Sequence, residues 1–406
     1  MSKESATYCK FAHLGINCDM SGMVQPCLLS TYWFKDQNGD FLHLKQDTLK
    51  DAWRSESRRQ FIEKLDSGVK HDACKVCWDV EASGNQSQRM VFNETLKDVE
   101  AMNEQPRIVI LKPGNKCNNA CRSCNADTSS AWYKDSYKMS GSNAPYKEWI
   151  KFFKDHNNTY QKPSIEEQFK AWQKGIIFWD LYGGEPLIIP LTYKLIKDSI
   201  AQGTAKDQDL QIHTNGTVYD PNLIKLASHF KSFSLGYSID AVGLKNDYIR
   251  KLSVWDKVLE NLKKYRSDIQ QHAKMKLVIR TCTTPWNVYY LDELWDYFQY
   301  QLPIKIGSPT IVQDQPHTDV SYLPTHVKQE VYKKLTNYSK KDQKYEKWIK
   351  QPIKWLLFDP NDHNEKQNSF MLFNNKLDKI RKEKFNKVMP EYASLFTLLY
   401  FFVVLF

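Results

Sequence analysis

Three cysteines lie close together in the chain, within the run Cys117-Asn118-Asn119-Ala120-Cys121-Arg122-Ser123-Cys124. Cysteine thiolates are the usual ligands of iron–sulfur clusters, and three of them can hold three corners of a 4Fe–4S cube. No fourth cysteine stands nearby, so one iron would stay open to a small ligand. Zinc usually takes four closed ligands in paired Cys or Cys/His sets, and no partner pair follows at short distance. The triplet favours an open-corner cluster over a zinc knot or three structural thiols.

The segments on either side of the triplet help to decide between a cluster, a zinc knot and structural thiols. Residues 107–112 form a short β-branched run that Pro113-Gly114-Asn115 breaks, which predicts a strand ending just before the first cysteine. A second run, residues 178–182, leads into Gly183-Gly184-Glu185-Pro186. A C-x-x-x-C-x-x-C triplet after one strand and Gly-Gly-Glu-Pro after another resemble the radical S-adenosylmethionine (radical SAM) enzymes.

The resemblance implies a SAM site built from strand ends. It places Gly183, Gly184, Glu185 and Pro186 along the methionine part of SAM, where glycines let the backbone approach closely and a carboxylate can meet an ammonium group. In related enzymes, polar residues at later strand ends contact the ribose and the carboxylate of SAM. By this resemblance the further contacts are Asn215, Ser238, Asp240 and Arg280, of which Arg280 could pair with the carboxylate through its planar guanidinium. Singly, each could equally be a turn former or a surface charge.

One residue departs from the family pattern. Many radical SAM enzymes have an aromatic residue before the last cysteine of the triplet, beside the adenine, whereas Arg122 stands here. A guanidinium can also stack on a base. Arg122 therefore leaves the adenine contact unassigned while the cluster assignment stands, and it is the one motif-level sign of a degenerate barrel that binds a cluster but no SAM.

A second cysteine set lies upstream of the triplet. Cys74 and Cys77 form a C-x-x-C pair, and Cys9 and Cys27 flank a short hairpin-like stretch with a turn at residues 19–22. This arrangement resembles the twitch module, a SPASM-like domain that binds an auxiliary cluster in some radical SAM enzymes. The resemblance implies an auxiliary iron–sulfur cluster on these four cysteines, with a structural zinc as the competing interpretation.

The other two cysteines and the N-terminus bear on the cellular compartment. Cys18 and Cys282 are interpreted as small buried hydrophobes. The polar start of the chain, residues 1–5, is followed by no apolar stretch and so does not resemble a signal peptide. Clustered cysteines in such a chain more often bind metal than form disulfides, and we expect a cytoplasmic protein.

The elements around these motifs alternate between strands and helices. Apolar residues recur at helical spacing in residues 191–202, 221–229, 254–265 and 291–300, and residues 303–306 supply a sixth strand. Alternation of this kind predicts an α/β fold with parallel strands, and the resemblance implies a partial (β/α)6 TIM-like barrel. Active sites of such barrels lie at the carboxyl ends of the strands, where the motifs fall.

Length and composition limit the domain organisation and the classes of partner. The chain has 406 residues, of which 41% are hydrophobic, and a net charge of +10. We expect a cysteine-rich α+β module with its linker over residues 1–100, the barrel over 101–313 and a mostly helical extension over 314–406. Basic residues alternate with acidic ones, so nucleic-acid binding is not indicated. Residues 392–406 are almost wholly apolar, but fifteen helical residues reach roughly 22 Å, short of the ~30 Å needed to span a membrane.

Together these features predict a radical SAM enzyme. The resemblance implies that a 4Fe–4S cluster reductively cleaves SAM to a 5′-deoxyadenosyl radical, which abstracts hydrogen from a peptide, or from a nucleotide or other small molecule. A one-electron reductant such as flavodoxin or ferredoxin would supply the electron. The alternative is a non-catalytic zinc- or iron–sulfur-binding protein with a degenerate barrel, which would have no need of Gly-Gly-Glu-Pro or the polar strand ends.

Overall fold

The protein is built around a seven-stranded sheet. The structure, a computed structural model, describes residues 5–396 except residues 83, 85, 157, 158 and 314. Its strands in chain order are β1 (Gly15–Cys18), β2 (Val24–Gln25), β3 (Ile108–Leu111), β4 (Ala120–Cys121), β5 (Phe178–Leu181), β6 (Asp209–Thr214), β7 (Ser232–Ser238), β8 (Arg250–Lys251), β9 (Met275–Arg280), β10 (Cys282–Thr283) and β11 (Thr310–Ile311). In the large sheet they lie in the order β2-β1-β3-β5-β6-β7-β9, while β4 pairs with β8 and β10 with β11.

Five neighbouring strands of this sheet are parallel and form the barrel portion. From β3 through β5, β6 and β7 to β9, each strand pairs in parallel with the next. The five predicted strands that correspond to β3, β5, β6, β7 and β9 are confirmed to within a few residues. The predicted sixth strand, at residues 303–306, is reduced to a single parallel bridge between Ile279 and Ile306. The fold is therefore the expected α/β type, with an incomplete barrel.

Helices follow the barrel strands and cover the outside of the sheet. Proline occupies the first turn of the helices Pro163–Trp172, Pro190–Ala201 and Pro221–Ala227, where its missing N–H has no intrahelical partner to lose. The helices of the barrel and of the segment inserted after the triplet are Tyr133–Ser140, Tyr146–His156, Pro163–Trp172, Pro190–Ala201, Pro221–Ala227, Leu244–Ile249, Trp255–Ile269 and Leu291–Asp296. The four helices predicted from apolar spacing are all present.

The side chains of the barrel strands alternate between two environments. Trp179 in β5 is buried and contacts Phe169 in the helix Pro163–Trp172, so this face of the sheet packs against helices. Successive residues of a strand point to opposite faces. Asp180 of β5 and Gln211 and His213 of β6 therefore point into the barrel, where they contact one another.

The N-terminal region is joined to the barrel through its hairpin. Strand β1 pairs antiparallel with β2 and parallel with β3, so the cysteine-rich region and the barrel share one sheet. The hairpin was predicted, but its place at the edge of the barrel sheet was not. The helices of this region are Lys10–Leu14, Leu49–Arg54, Glu56–Asp66, Lys75–Ala82 and Gln88–Thr95.

The C-terminal extension is helical, as predicted. Its helices are Thr325–Ser339, Gln343–Leu356, His363–Lys366, Ser369–Arg381, Phe385–Val388 and Pro390–Ser394. Of the apolar tail at residues 392–406, the structure describes only residues 392–396, where Tyr392 is buried; the remainder lies outside the described residues. Within the described part of the chain, none of the helices has the length and apolar character that a membrane span requires.

Candidate functional site

The cysteine triplet lies on a loop that is held by hydrogen bonds to neighbouring segments. Strand β4, which contains Cys121, pairs antiparallel with β8 so that Cys121 faces Arg250 across the pair. The indole N–H of Trp132 donates to the carbonyl oxygen of Cys121 over 2.6 Å. The backbone N–H of Cys117 donates to the hydroxyl of Ser130 over 3.2 Å. These contacts fix the backbone at two of the three cysteines.

The three thiols are close enough to affect each other's ionisation. Burial, and then the charge of Cys121, raises the pKa of Cys117 to about 11. A hydrogen bond from Cys124 lowers the pKa of Cys121 to about 7, and the positive charge of Arg250 acts in the same direction. The same hydrogen bond, together with burial, raises the pKa of Cys124. The loop thus gathers three soft, mutually repelling ligands beside a guanidinium.

This donor set fits a cluster with a cationic core. Three thiolates repel one another unless cationic iron lies between them, and cysteine is the ligand that iron–sulfur clusters require. Among the described residues, no group of three or more His, Cys, Asp or Glu side chains could hold a single metal ion. A cluster places its own iron and sulfide between its ligands, so its cysteines need not converge on one point.

The Gly-Gly-Glu-Pro turn packs against the cluster loop. Gly183 and Gly184 both have positive φ, at 86° and 49°, a region that glycine adopts without steric cost. A Cβ on Gly184 would lie 2.5 Å from the carbonyl oxygen of Lys116, and the N–H of Glu185 donates to that same oxygen over 2.9 Å. Glycine is required here because the turn and the loop touch backbone to backbone.

Glu185 ties this turn to the end of β6. Its carboxylate accepts from the hydroxyl of Thr214 at 2.8 Å, from the backbone N–H of Asn215 at 2.6 Å and from that of Leu187 at 3.1 Å. The side chain is fully buried, and burial raises its pKa. Pro186 follows in the short turn Pro186–Ile188. The predicted contact of Glu185 with the SAM ammonium group stays a prediction.

Asn215 lies directly beside the cluster loop. Its amide donates to the side-chain oxygen of Asn118 over 2.8 Å and lies 3.8 Å from the sulfur of Cys117. Its own amide oxygen accepts from the N–H and the hydroxyl of Thr217. The strand end predicted to contact SAM is thus adjacent to the predicted cluster.

Ser238 and Arg280 end adjacent strands in register with each other. The guanidinium of Arg280 lies against Gly307, where a Cβ would be 2.9 Å from Nη1. Its Nε is buried and has no hydrogen-bond partner among the described residues. Burial lowers the pKa of Arg280. An incompletely paired guanidinium at a strand end is compatible with the predicted contact to a carboxylate.

Asp240 has a protein partner that the sequence analysis missed. Its carboxylate accepts from Arg250 at 2.7 Å and from the backbone N–H of Cys282 at 3.0 Å. Arg250 is nearly buried, and its Nε has no partner among the described residues. In the sequence Arg250 looks like any surface charge. Only the pairing of β8 with β4 reveals that it lies beside the triplet, between Asp240 and Cys121.

Arg122 is buried among protein partners and is not free to stack on a base. Its side chain is completely buried, and its guanidinium lies 3.6 Å from the ring centre of Tyr248. It forms ion pairs with Asp378 at 2.6 Å and with Glu383 at 2.7 Å. The guanidinium of Arg122 is therefore paired with carboxylates of the C-terminal extension.

The N-terminal cysteines share one apolar cavity. Cys9, Cys27, Cys74 and Cys77 all line it, together with aromatic side chains that include Phe11. Burial raises the pKa of Cys9 to about 11, and burial followed by the charge of Cys9 raises that of Cys74 to about 12. The structure thus brings together the four cysteines that the sequence assigned to one site. Four soft ligands in an apolar cavity suit an iron–sulfur cluster.

A polar cluster lies inside the barrel. Asp180 accepts from Gln211 at 3.1 Å and contacts Nε2 of His213 at 3.1 Å. The ring of Tyr182 meets His213 edge to face at 5.5 Å and packs in the same apolar group as Cys27. A barrel core is normally filled by branched apolar residues, and this polar interior departs from that pattern. No motif in the sequence pointed to it.

Comparison with known proteins gives two family matches. The Radical SAM superfamily model matches residues 111–279, and the model of an iron–sulfur cluster-binding domain, SPASM, matches residues 8–78. The chain therefore contains a radical SAM domain and, before it, an iron–sulfur cluster-binding domain of the SPASM type. The two matched domains imply a 4Fe–4S cluster with SAM in the first and an auxiliary iron–sulfur cluster in the second.

Solved structures resemble the chain only distantly. A structure of native anSMEcpe with bound AdoMet shares 18% identity, covers 58% of this chain and 60% of its own, and has a TM-score of 0.40. Streptococcus suis SuiB bound to precursor peptide SuiA shares 11% identity, with 83% and 70% covered and a TM-score of 0.36. The chain thus spans about 60% of the length of the first of these proteins. The search of curated proteins found no significant match.

Proposed function

We propose that this protein is a radical SAM enzyme that removes a hydrogen atom from a peptide. A 4Fe–4S cluster and SAM, when bound, supply reductive cleavage of SAM and a 5′-deoxyadenosyl radical. The observation that carries the proposal is the convergence of three elements: the triplet loop, the Gly-Gly-Glu-Pro turn bonded to it through Lys116, and the end of β6, whose Asn215 lies 3.8 Å from the sulfur of Cys117.

The protein's own work is to bind, orient and exclude water. Cys117, Cys121 and Cys124 would hold the cluster. The strand-end residues would hold SAM, and its carboxylate has two guanidinium candidates, Arg250 beside the triplet and the predicted Arg280. Each has a buried Nε without a partner among the described residues. A planar guanidinium suits a carboxylate because it can form two parallel hydrogen bonds.

The auxiliary site would lie on the far side of the substrate. Cys9, Cys27, Cys74 and Cys77 surround a cavity whose neighbouring apolar group includes Tyr182, at the edge of the polar cluster in the barrel. An auxiliary iron–sulfur cluster held there could ligate the substrate or accept an electron. The division into residues 1–100, 101–313 and 314–406 follows this assignment of an auxiliary module, a barrel and an extension.

The polar cluster supports a peptide as substrate. Asp180, Gln211 and His213 combine acceptors and donors on neighbouring strands, and a peptide backbone offers both N–H and C=O groups. Twitch-type relatives also act on nucleotides and other small molecules, so the substrate class needs a direct test. The electron donor would be a one-electron carrier such as flavodoxin or ferredoxin in the cytoplasm.

Transfer of deuterium identifies the substrate class. Fully deuterated cell extract would be separated into a peptide fraction and a nucleotide and metabolite fraction, and each would be incubated anaerobically with reconstituted protein, dithionite and SAM. We expect deuterium in 5′-deoxyadenosine with the peptide fraction only. Deuterium transferred only from the nucleotide and metabolite fraction would refute the peptide proposal while retaining the radical chemistry. A triple Ala variant at Cys117, Cys121 and Cys124 is the control and should give no labelled product.

A further inference from the structure

The loop that carries the cysteine triplet packs against a helix outside the segment that the superfamily model matches. Arg122, between two cysteines of the triplet, donates to Asn374 at 2.8 Å and to Asp378 at 2.6 Å, both in the helix Ser369–Arg381. It also donates to Glu383, just beyond that helix, at 2.7 Å. The superfamily match ends at residue 279, so these partners belong to the C-terminal extension.

The charges in this buried contact are balanced. Arg122 and Lys251 face Asp378 and Glu383, because Lys251 in β8 donates to Glu383 at 2.7 Å. Tyr248 adds its ring under Arg122 and its hydroxyl to Asp378 at 2.8 Å. Two cations and two carboxylates therefore join β4, β8 and the C-terminal helix. Removing one partner from such a set leaves another charge buried without compensation.

A second contact from the same helix approaches Cys121 itself. Arg381 at the helix end donates to Asp135 at 2.8 Å and lies 4.6 Å from the ring centre of Trp132. Trp132 is the residue whose indole N–H binds the carbonyl oxygen of Cys121. The Arg381 side chain is 2% exposed, and both of its Nη atoms lack a hydrogen-bond partner among the described residues. This is an incompletely paired, buried positive charge close to the triplet.

Apolar packing completes the contact. Leu377 of the helix is buried in one group with Ala120 and Trp132, and Cys124 and Phe373 pack against that group. The helix thus reaches the loop at both of its last two cysteines, by ion pairs at Arg122 and by apolar contact at Cys124.

We propose that the helix Ser369–Arg381 is a positioning element of the cluster site. Asp378 in the helix and Glu383 just after it fix Arg122, and so the spacing of Cys121 and Cys124. Arg381 adds positive charge that stabilises the more negative, reduced state of a cluster held there. The proposal rests on the proposed function only in requiring that the triplet holds a redox-active cluster.

The potential of the open-corner cluster tests the role of Arg381. Reconstituted wild type, Arg381→Gln, Arg381→Lys and Lys379→Gln would be titrated anaerobically and followed by EPR, using the signal that changes on adding SAM. Lys379→Gln is the matched control, because it removes the same charge from an exposed position on the same helix. We expect Arg381→Gln to shift the midpoint to a more negative potential, with Arg381→Lys and Lys379→Gln close to wild type. Equal midpoints for Arg381→Gln and Lys379→Gln would overturn the electrostatic role.

Loss of the ion pairs tests the positioning role. Asp378→Asn should lower the intensity of the open-corner cluster signal per folded chain several-fold, while the iron of the N-terminal site is kept. Full occupancy of the open corner in Asp378→Asn would overturn this role, and if that variant does not fold, Glu383→Gln replaces it with the same expected and contradicting results. These readouts need no turnover. A protein that loads its cluster but forms no 5′-deoxyadenosine would therefore refute the proposed function and still test the positioning helix.

Discussion

Replacement of Gly184 by alanine should damage the cluster site more than it damages the fold. With φ at 49°, a non-glycine residue at this position costs roughly 1–2 kcal/mol. The new Cβ would also lie 2.5 Å from the carbonyl oxygen of Lys116 and 3.0 Å from that of Gly114. Both contacts are with backbone of the cluster loop, and forcing a methyl group into a packed region costs roughly 1–3 kcal/mol more. The expected total is about 2–5 kcal/mol.

Gly203 supplies a matched control for this replacement. Its φ is 69°, and a Cβ there would meet nothing within 4 Å, so Gly203→Ala should cost only the roughly 1–2 kcal/mol of backbone strain. The assay is the apparent melting temperature of the iron-free proteins and the iron and sulfide content after anaerobic reconstitution. We expect Gly184→Ala to melt lower than Gly203→Ala and to lose iron at the triplet. Equal melting temperatures and equal iron contents in the two variants would refute the close packing of turn and loop.

Three further predictions follow from the same contacts. Glu185→Gln places an amide N–H where a carboxylate oxygen accepts from the N–H of Asn215, which leaves a buried donor unpaired at a cost of roughly 1–3 kcal/mol; thermal melting and equilibrium dialysis with SAM should both show a loss. Cys27→Ser should remove iron from the N-terminal site and leave the EPR signal of the open-corner cluster, so loss of both signals would contradict two separate sites. Cluster ligands bind as thiolates, and because the pKa of Cys121 is lowered to about 7, its thiolate forms as the pH rises through 7. Arg250→Met removes a positive charge that favours this thiolate, so the pH profile of the initial rate of cluster assembly should shift to higher pH. An unchanged profile would contradict the charge effect.

The sequence predicted the parts of the site that depend on local pattern. The triplet, the Gly-Gly-Glu-Pro turn and the strands before them are contiguous motifs, and apolar spacing located the helices of the barrel. The grouping of Cys9, Cys27, Cys74 and Cys77 was implied by the resemblance to the twitch module, and in the structure these four cysteines line one cavity.

The parts that depend on contacts between distant segments were not predictable. Arg122 stands in the triplet but is committed to Asp378, 256 positions away, and no periodicity relates the two. Arg250 reaches Cys121 only because a two-residue strand pairs there. The pairing of β1 with β3 likewise joins segments some 90 positions apart. Charged residues in a single sequence look exposed until the structure supplies a buried partner.

The polar interior of the barrel escaped notice for a related reason. Asp180 and His213 lie on strands whose other face is apolar, a pattern equally typical of a sheet with one face in water. Only the packing of Phe178 and Tyr182, on the same face of β5 as Asp180, against Phe11 and Cys27 shows that this face is covered.

The most direct test of the central claim is the formation of 5′-deoxyadenosine. The protein would be reconstituted anaerobically with iron and sulfide, reduced with dithionite in the presence of SAM, and assayed by liquid chromatography and mass spectrometry. The triple Ala variant at Cys117, Cys121 and Cys124 would be measured beside it. We predict 5′-deoxyadenosine from the wild type and none from the variant. An iron-loaded wild type that forms no more 5′-deoxyadenosine than the variant would contradict radical SAM chemistry in this chain.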